Sequence, residues 1–183
     1  MRVVAGSARS IVLETPAGNN TRPTTDRIKE TLFNILMPYV PGSIVLDLFA
    51  GSGGLGIECL SRGAEFATFV DAYRPASECI KHNLAKTHFN NKSEMLIMDF
   101  ENALSNLKRL GRKYDLVILD PPYDKGLEFS ALRIMADYDL LAEDALVVVE
   151  TSKEHDPEEF INLGFSIKKI KDYKSNRHYF LEK

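Results

Sequence analysis

Asp120-Pro121-Pro122-Tyr123 is the stretch of this sequence best suited to holding an amine. Two successive prolines stiffen the backbone and remove two amide donors, which leaves the carbonyls of Asp120 and Pro121 as acceptors beside a carboxylate. Such a set accepts hydrogens and offers none. An exocyclic amine on a nucleobase is a poor nucleophile because its lone pair is delocalised into the ring. Accepting its hydrogens from one side encourages the nitrogen to pyramidalise toward an electrophile, and Tyr123 supplies a flat face on which the base can stack in a near-attack pose.

The second constellation is Asp47-Leu48-Phe49-Ala50-Gly51-Ser52-Gly53-Gly54-Leu55-Gly56, which follows the apolar run Ile44 to Leu46. It reads as strand, tight turn and helix, with glycines where a backbone must approach a ligand or a neighbouring strand closely. This spacing alone fits dinucleotides and other adenosine-containing cofactors equally. Asp47 tilts the choice, because a carboxylate at the strand end repels phosphate and attracts an ammonium. S-adenosylmethionine has an ammonium and no phosphate. Asp71 comes 20 residues after Gly51, the separation at which an acid commonly bonds ribose hydroxyls, and Asp99, one strand further on, is placed to take the exocyclic amine of adenine.

Strands and helices must alternate to position these acids. Apolar runs at 44–48, 66–71, 94–98, 114–119 and 145–150 predict strands, and amphipathic segments at about 75–86, 101–110, 127–138 and 157–163 predict the helices between and after them. Two more strands are expected near 165–170 and 178–181. The pattern implies right-handed crossovers and a doubly wound, mostly parallel sheet with ligands outside the carboxyl ends of its strands. Before this core, Arg2 to Ala5 and Ser10 to Glu14 flank Gly6-Ser7-Ala8-Arg9 as a hairpin would. A threonine-capped helix follows, with Ile28, Leu32, Ile35 and Leu36 on one stripe.

At 183 residues no second catalytic domain is expected, and the 44% hydrophobic content excludes disordered classes. It has neither a membrane-length apolar run nor a signal-peptide core, so a cytoplasmic protein without a membrane partner is expected. Cys59 and Cys79 lack paired spacing and read as small core residues. His82, His88, His155 and His178 lack ligand spacing and read as solvated positions, so no metal is expected. Net charge is −3, unevenly spread. Arg2, Arg9, Arg22, Arg27 and Lys29 face only Glu14 and Asp26 in residues 1–29, while Lys168, Lys169, Lys171, Lys174, Arg177 and Lys183 face Asp172 and Glu182 near the C-terminus. Basic ends on an acidic body suggest phosphate contacts, with Arg2, Arg9, Arg22, Lys168, Lys169, Lys171, Lys174 and Arg177 as RNA-binding candidates.

Asp47-x-Phe49-x-Gly51-x-Gly53 together with Asp120-Pro121-Pro122-Tyr123 resembles the S-adenosylmethionine-dependent amino-methyltransferases. The segment from Arg22 to Asn34, RPTTDRIKETLFN, is similar to the signature of one family among them, RsmD, the ribosomal RNA small subunit methyltransferase D family. The resemblance implies a Rossmann-like class I methyltransferase fold with a mostly parallel seven-stranded sheet, divided into a β-hairpin extension (1–20) and a methyltransferase domain (21–183). It implies methyl transfer to the 2-amino group of a loop guanine, nucleotide 966, of 16S rRNA within a small ribosomal subunit or its precursor, with no obligate protein partner. Asp71 would hold the ribose, Asp99 and Phe100 the adenine, and Asp47, Gly51 and Gly53 the methionine end, with Phe49 also binding the cofactor. Thr24, Thr25 and Arg27 would close over the cofactor, and Asp120, Pro121, Pro122 and Tyr123 would receive the guanine. The sequence has aspartate at 71, where such enzymes often have glutamate, and it departs from the family in having lysine, not glycine, after Tyr173. Two alternatives remain: a DNA or other RNA amino-methyltransferase acting on adenine, since the aspartate-proline motif is shared with such enzymes, or a non-catalytic RNA-binding assembly factor.

Overall fold

The structure, a computed structural model, describes residues 1–16, 26–122 and 125–183. Its centre is a seven-stranded sheet in the order β3-β2-β1-β4-β5-β7-β6. The strands are β1 (Ile44–Leu48), β2 (Phe66–Val70), β3 (Ser93–Leu96), β4 (Tyr114–Leu119), β5 (Leu141–Thr151), β6 (Ser166–Asp172) and β7 (Arg177–Glu182). β1 to β5 pair in parallel, while β7 runs antiparallel between β5 and β6. Strands such as Val45-Leu46 and Leu116 to Leu119 are apolar at consecutive positions because helices cover both faces of the sheet.

On one face lie α1 (Asp26–Leu36), α2 (Gly54–Ser61) and α3 (Arg74–Thr87), whose Phe33, Leu36, Ile57, Leu60, Ile80 and Leu84 share a core with Val45, Phe69, Ile118, Val148 and Phe180. On the other lie α4 (Phe100–Arg109), α5 (Leu127–Asp137) and α6 (Glu158–Asn162), which bury Leu104, Leu107, Leu132, Met135 and Phe160 against Leu46, Leu48, Val117, Leu119 and Val149. This is the doubly wound, Rossmann-like arrangement that the alternation predicts, and no helix among the described residues is long and apolar enough to cross a membrane. β5 begins at Leu141 rather than Ala145, because Leu141 pairs with Tyr114 across a register shift that the polar Glu143-Asp144 conceals.

The N-terminal hairpin is reduced to a single bridge between Arg2 and Val12, with Val3 N–H donating to the Ile11 carbonyl at 2.9 Å. The remaining backbone groups have other partners. Val4 and Ala5 N–H donate to the Glu58 carboxylate at 2.8 and 2.9 Å, Ala8 N–H to Ser61 Oγ at 3.0 Å, and Glu14 N–H to Asn83 Oδ1 at 2.8 Å. Val3, Ala8 and Leu13 are buried in the same core as α1 and α2. The expected boundary at residues 20 and 21, and the threonine cap ahead of α1, lie outside the described residues.

Candidate active site

The glycine turn is built around two carboxylates. Asp47 is buried at the end of β1 and its Oδ2 accepts from Gly56 N–H at 2.8 Å, tying the strand to the first turn of α2. Burial pushes the Asp47 carboxyl up to about 7, against the lowering effect of the Gly56 N–H and with a smaller push from the Asp71 charge. Asp71, just beyond β2, accepts from Gly51 N–H at 2.8 Å through Oδ2 and from Tyr73 N–H at 2.8 Å through Oδ1. Phe49 sits at φ 74°, a left-handed conformation rare for an aromatic residue, and is held there because the Val70 carbonyl accepts from both Phe49 and Ala50 N–H at 3.1 and 2.9 Å.

Gly51 also lies in the left-handed region, at φ 56°, and among the described residues, its two chain neighbours aside, no atom lies within 4 Å of where its Cβ would be. Among the described residues the turn therefore has room beside Gly51. On its far side Asp99 caps α4, accepting from Asn102 N–H at 2.9 Å and Asn102 Nδ2 at 2.7 Å, and these bonds hold its carboxyl below the usual range. The Phe100 ring lies 5.4 Å from that of Phe49. Tyr73 and Ile97, beyond the ends of β2 and β3, stay 55% and 51% exposed. The sequence reading missed both, although each sits beside a strand-ending acid.

Asp120 follows β4 directly, with Pro121 buried and Pro122 exposed; Tyr123 lies outside the described residues. Its carboxyl is raised well above the ordinary range, first by burial, then by the charges of Glu150 and Asp47. Glu150 was not singled out from the sequence. Its Oε2 lies 2.7 Å from His178 Nε2 and its Oε1 accepts from Asn176 Nδ2 at 2.6 Å. His178, expected to be solvated, is instead buried on β7. Among the described residues, no three His, Cys, Asp or Glu side chains group as they would to hold a metal ion.

The structure thus gathers Asp47, Phe49, Gly51, Gly53, Asp71, Asp99, Phe100, Asp120 and Pro121 at one edge of the sheet. Thr24 and Thr25 lie outside the described residues, and Arg27 is exposed in the first turn of α1. The basic candidates lie elsewhere and are unequal. Arg2 pairs with Asp26 at 2.8 Å, Lys168 with Glu182, and Arg177 with Asp172 at 2.7 Å. Arg9, Lys169 and Lys174 are exposed and make no salt bridge among the described residues, Lys171 is half-buried, and Arg22 lies outside them.

The model of the family described as Conserved hypothetical protein 95 matches residues 1–182. Over 155 residues the chain is 38% identical to the Ribosomal RNA small subunit methyltransferase D of Escherichia coli K12, covering 85% of this chain and 76% of that one. The chain belongs to the RsmD family. A second RsmD-like relative, YlbH of Bacillus subtilis, provisionally named an rRNA methyltransferase, is 41% identical over 154 residues and 84% of both chains. Among solved structures, yhhF from Escherichia coli, provisionally described as a methyltransferase, superposes with a TM-score of 0.82 at 33% identity, covering 99% of this RsmD-family chain and 96% of its own.

Close packing behind the turn makes one position of this RsmD-family site intolerant. A Cβ on Gly56 would lie 2.4 Å from the Phe69 ring and 3.0 Å from Asp47 Oδ2. We expect Gly56→Ala to lower stability by about 2 kcal/mol through overpacking. Urea denaturation measures this, and an unchanged midpoint would refute the close fit.

Proposed function

We propose that this protein transfers the methyl group of S-adenosylmethionine to the 2-amino group of a loop guanine, nucleotide 966, in 16S rRNA of the small ribosomal subunit or its precursor. Methyl transfer to rRNA follows from the family; the guanine and its amine are our finer reading. The observation that carries it is the position of Asp120 and Pro121, whose acceptors end β4 immediately beside the open glycine turn of β1.

Among the described residues nothing crowds Gly51, and the carboxylates and aromatic rings around the turn suit the cofactor. Asp71 would take the ribose, Asp99 and Phe100 the adenine with Tyr73 and Ile97 as apolar walls, and Asp47, Phe49 and Gly53 the methionine end. Thr24, Thr25 and Arg27 would close over it. When bound, the cofactor supplies a sulfonium methyl as electrophile. Asp120 and the Pro121 carbonyl would orient the amine by accepting its hydrogens, Pro122 would stiffen that turn, and Tyr123 would stack on the base. Neither cysteine is placed to attack a base: Cys59 is fully buried in α2 and its thiol is pushed well up by burial, while Cys79 lies in α3. Positioning and polarisation supply the rate, with no covalent enzyme intermediate.

Calorimetry tests the cofactor: S-adenosylhomocysteine is expected to bind more tightly than NAD, and the reverse order would end the reading. Radiolabelled methyl transfer followed by mass mapping of the product tests the target. Methyl on an adenine amine, or on DNA alone, would favour the first alternative, and no transfer the non-catalytic one.

The substrate's form follows from the charge distribution. An acidic body repels free nucleic acid in bulk, and a loop guanine is already partly unstacked, so presenting it costs less than the few kcal/mol needed to flip a paired base. We expect Arg2, Arg9, Arg22 and the Lys168-to-Arg177 cluster to contact phosphates of a folded particle, and an assembled small-subunit precursor to be methylated faster than naked 16S rRNA. Equal or faster initial rates on the naked RNA would show this to be wrong.

A further inference from the structure

The carboxylate on β5 next to Asp120 has no part in the function proposed so far. In the parallel pairing of β4 and β5, Ile118 lies opposite Val148 and Leu119 opposite Val149, so the next residues, Asp120 and Glu150, are lateral neighbours on the face that carries α1 to α3. His178 lies directly opposite Glu150 in the antiparallel pairing with β7. Asp47, opposite Ile118, lies one step deeper on the same face. A row of Asp120, Glu150 and His178 therefore crosses three strands at the carboxyl edge of the sheet. Glu150 is fixed in this row by both oxygens, through His178 Nε2 at 2.7 Å and Asn176 Nδ2 at 2.6 Å.

We infer that Glu150, clamped by His178 and Asn176, is a positioning residue that makes Asp120 a proton acceptor for the reaction as well as a hydrogen-bond acceptor. The inference rests on the methyl-transfer reading above. In the transfer, the amine nitrogen forms a bond to the methyl carbon as the sulfur–methyl bond breaks and its electron pair stays on sulfur, which leaves as a neutral thioether. The nitrogen gains positive charge and must then lose one proton. An aspartate of ordinary acidity takes that proton weakly, whereas one facing a second fixed carboxylate holds it better, and the proton then passes to water. Among the described residues, the groups facing Asp120 are Glu150 from β5 and Asp47 from β1, with His178 of β7 behind Glu150. Burial and both carboxylates act in the same direction on the Asp120 carboxyl.

The sign of the pH dependence follows. Asp120 must be ionised to accept, so kcat/KM rises with pH through its raised titration. Replacing Glu150 by glutamine removes one of three upward influences. We expect E150Q to move the acid limb of kcat/KM down by about one pH unit, to lower the plateau kcat about tenfold or more, and to leave the KM for cofactor nearly unchanged. E150D, which keeps the charge, should keep the limb near its original position. A limb unmoved in E150Q would overturn the proposal.

A second measurement needs no turnover and uses a variant only to assign one signal. Carbon-13 NMR of the carboxyls in the unsubstituted, cofactor-free protein, assigned through D120N, should show Asp120 titrating in two steps coupled to Glu150. Independent single-step curves would overturn the proposal. If the unsubstituted protein transferred no methyl groups while the coupled titration was present, the failure would belong to the methyl-transfer reading and not to the carboxyl pair.

Discussion

Asp120→Ala is expected to cut turnover by about two to four orders of magnitude while S-adenosylhomocysteine binds nearly as before. The side chain ends β4 and faces the other carboxylates across the strand ends, and it makes no hydrogen bond that shapes the glycine turn, whose carboxylates are Asp47 and Asp71. On the proposed reading, its loss removes an acceptor for the reacting amine and leaves the cofactor's seat intact. Removing it also relieves the crowding of negative charge against Asp47 and Glu150, so the variant should be no less stable than its parent. The measurements are single-turnover methyl transfer and calorimetric affinity. Unchanged turnover would refute the role given to Asp120, whereas lost cofactor affinity would place it in the other half of the site.

The second large effect is structural. Glu58 on α2 is fully buried beside Lys29 of α1, also fully buried, at 3.0 Å, and bonds Arg62 Nε at 2.8 Å and the N–H groups of Val4 and Ala5. Lys29 also donates to the Arg2 carbonyl. One carboxylate thus joins the N-terminal segment, α1 and α2. Glu58→Ala would strand the buried ammonium with a single carbonyl and leave two backbone donors without partners, so a loss of about 3–5 kcal/mol is expected. Glu58→Gln keeps an acceptor for the backbone donors and should lose less. Urea denaturation decides, and a loss below about 1 kcal/mol for the alanine variant would show that the ion pair only breaks even against its desolvation.

The parts of this protein legible in its sequence are those set by neighbours along the chain. β1 falls on Ile44–Leu48 as the apolar run predicts, and each acid expected at a strand end among 47, 71, 99 and 120 lies at the carboxyl edge. What local patterns could not show was what those acids bond. Asp71 and Asp99 are already engaged by backbone N–H groups of their own turns, a matter of backbone direction that composition does not encode. Partners far apart in sequence were also hidden: Lys29 with Glu58, and Glu150 with Asn176 and His178. For Glu150 a signal existed. It closes the apolar run of β5 as Asp120 closes that of β4, and the rule that found four strand-ending acids would have found a fifth had it been applied there.

β6 closes one side of the sheet and, among the described residues, pairs with β7 alone, so its outer row of backbone donors and acceptors is a template for another strand. Lys168 and Lys169 stand exposed on it, with Ile170 43% exposed between Lys169 and Lys171. Positive charge along such a margin keeps two molecules from joining edge to edge, through mutual repulsion and the water each ammonium holds. The same lysines are candidates for phosphate contact, and the two duties cannot be separated by neutralising them. A Lys→Gln series made to measure RNA contact would also strip the margin of its protection, and the weakened particle binding it produced would be accompanied by concentration-dependent light scattering. Lys→Glu, which repels phosphate but also repels a second copy, would lose the RNA contact without the scattering.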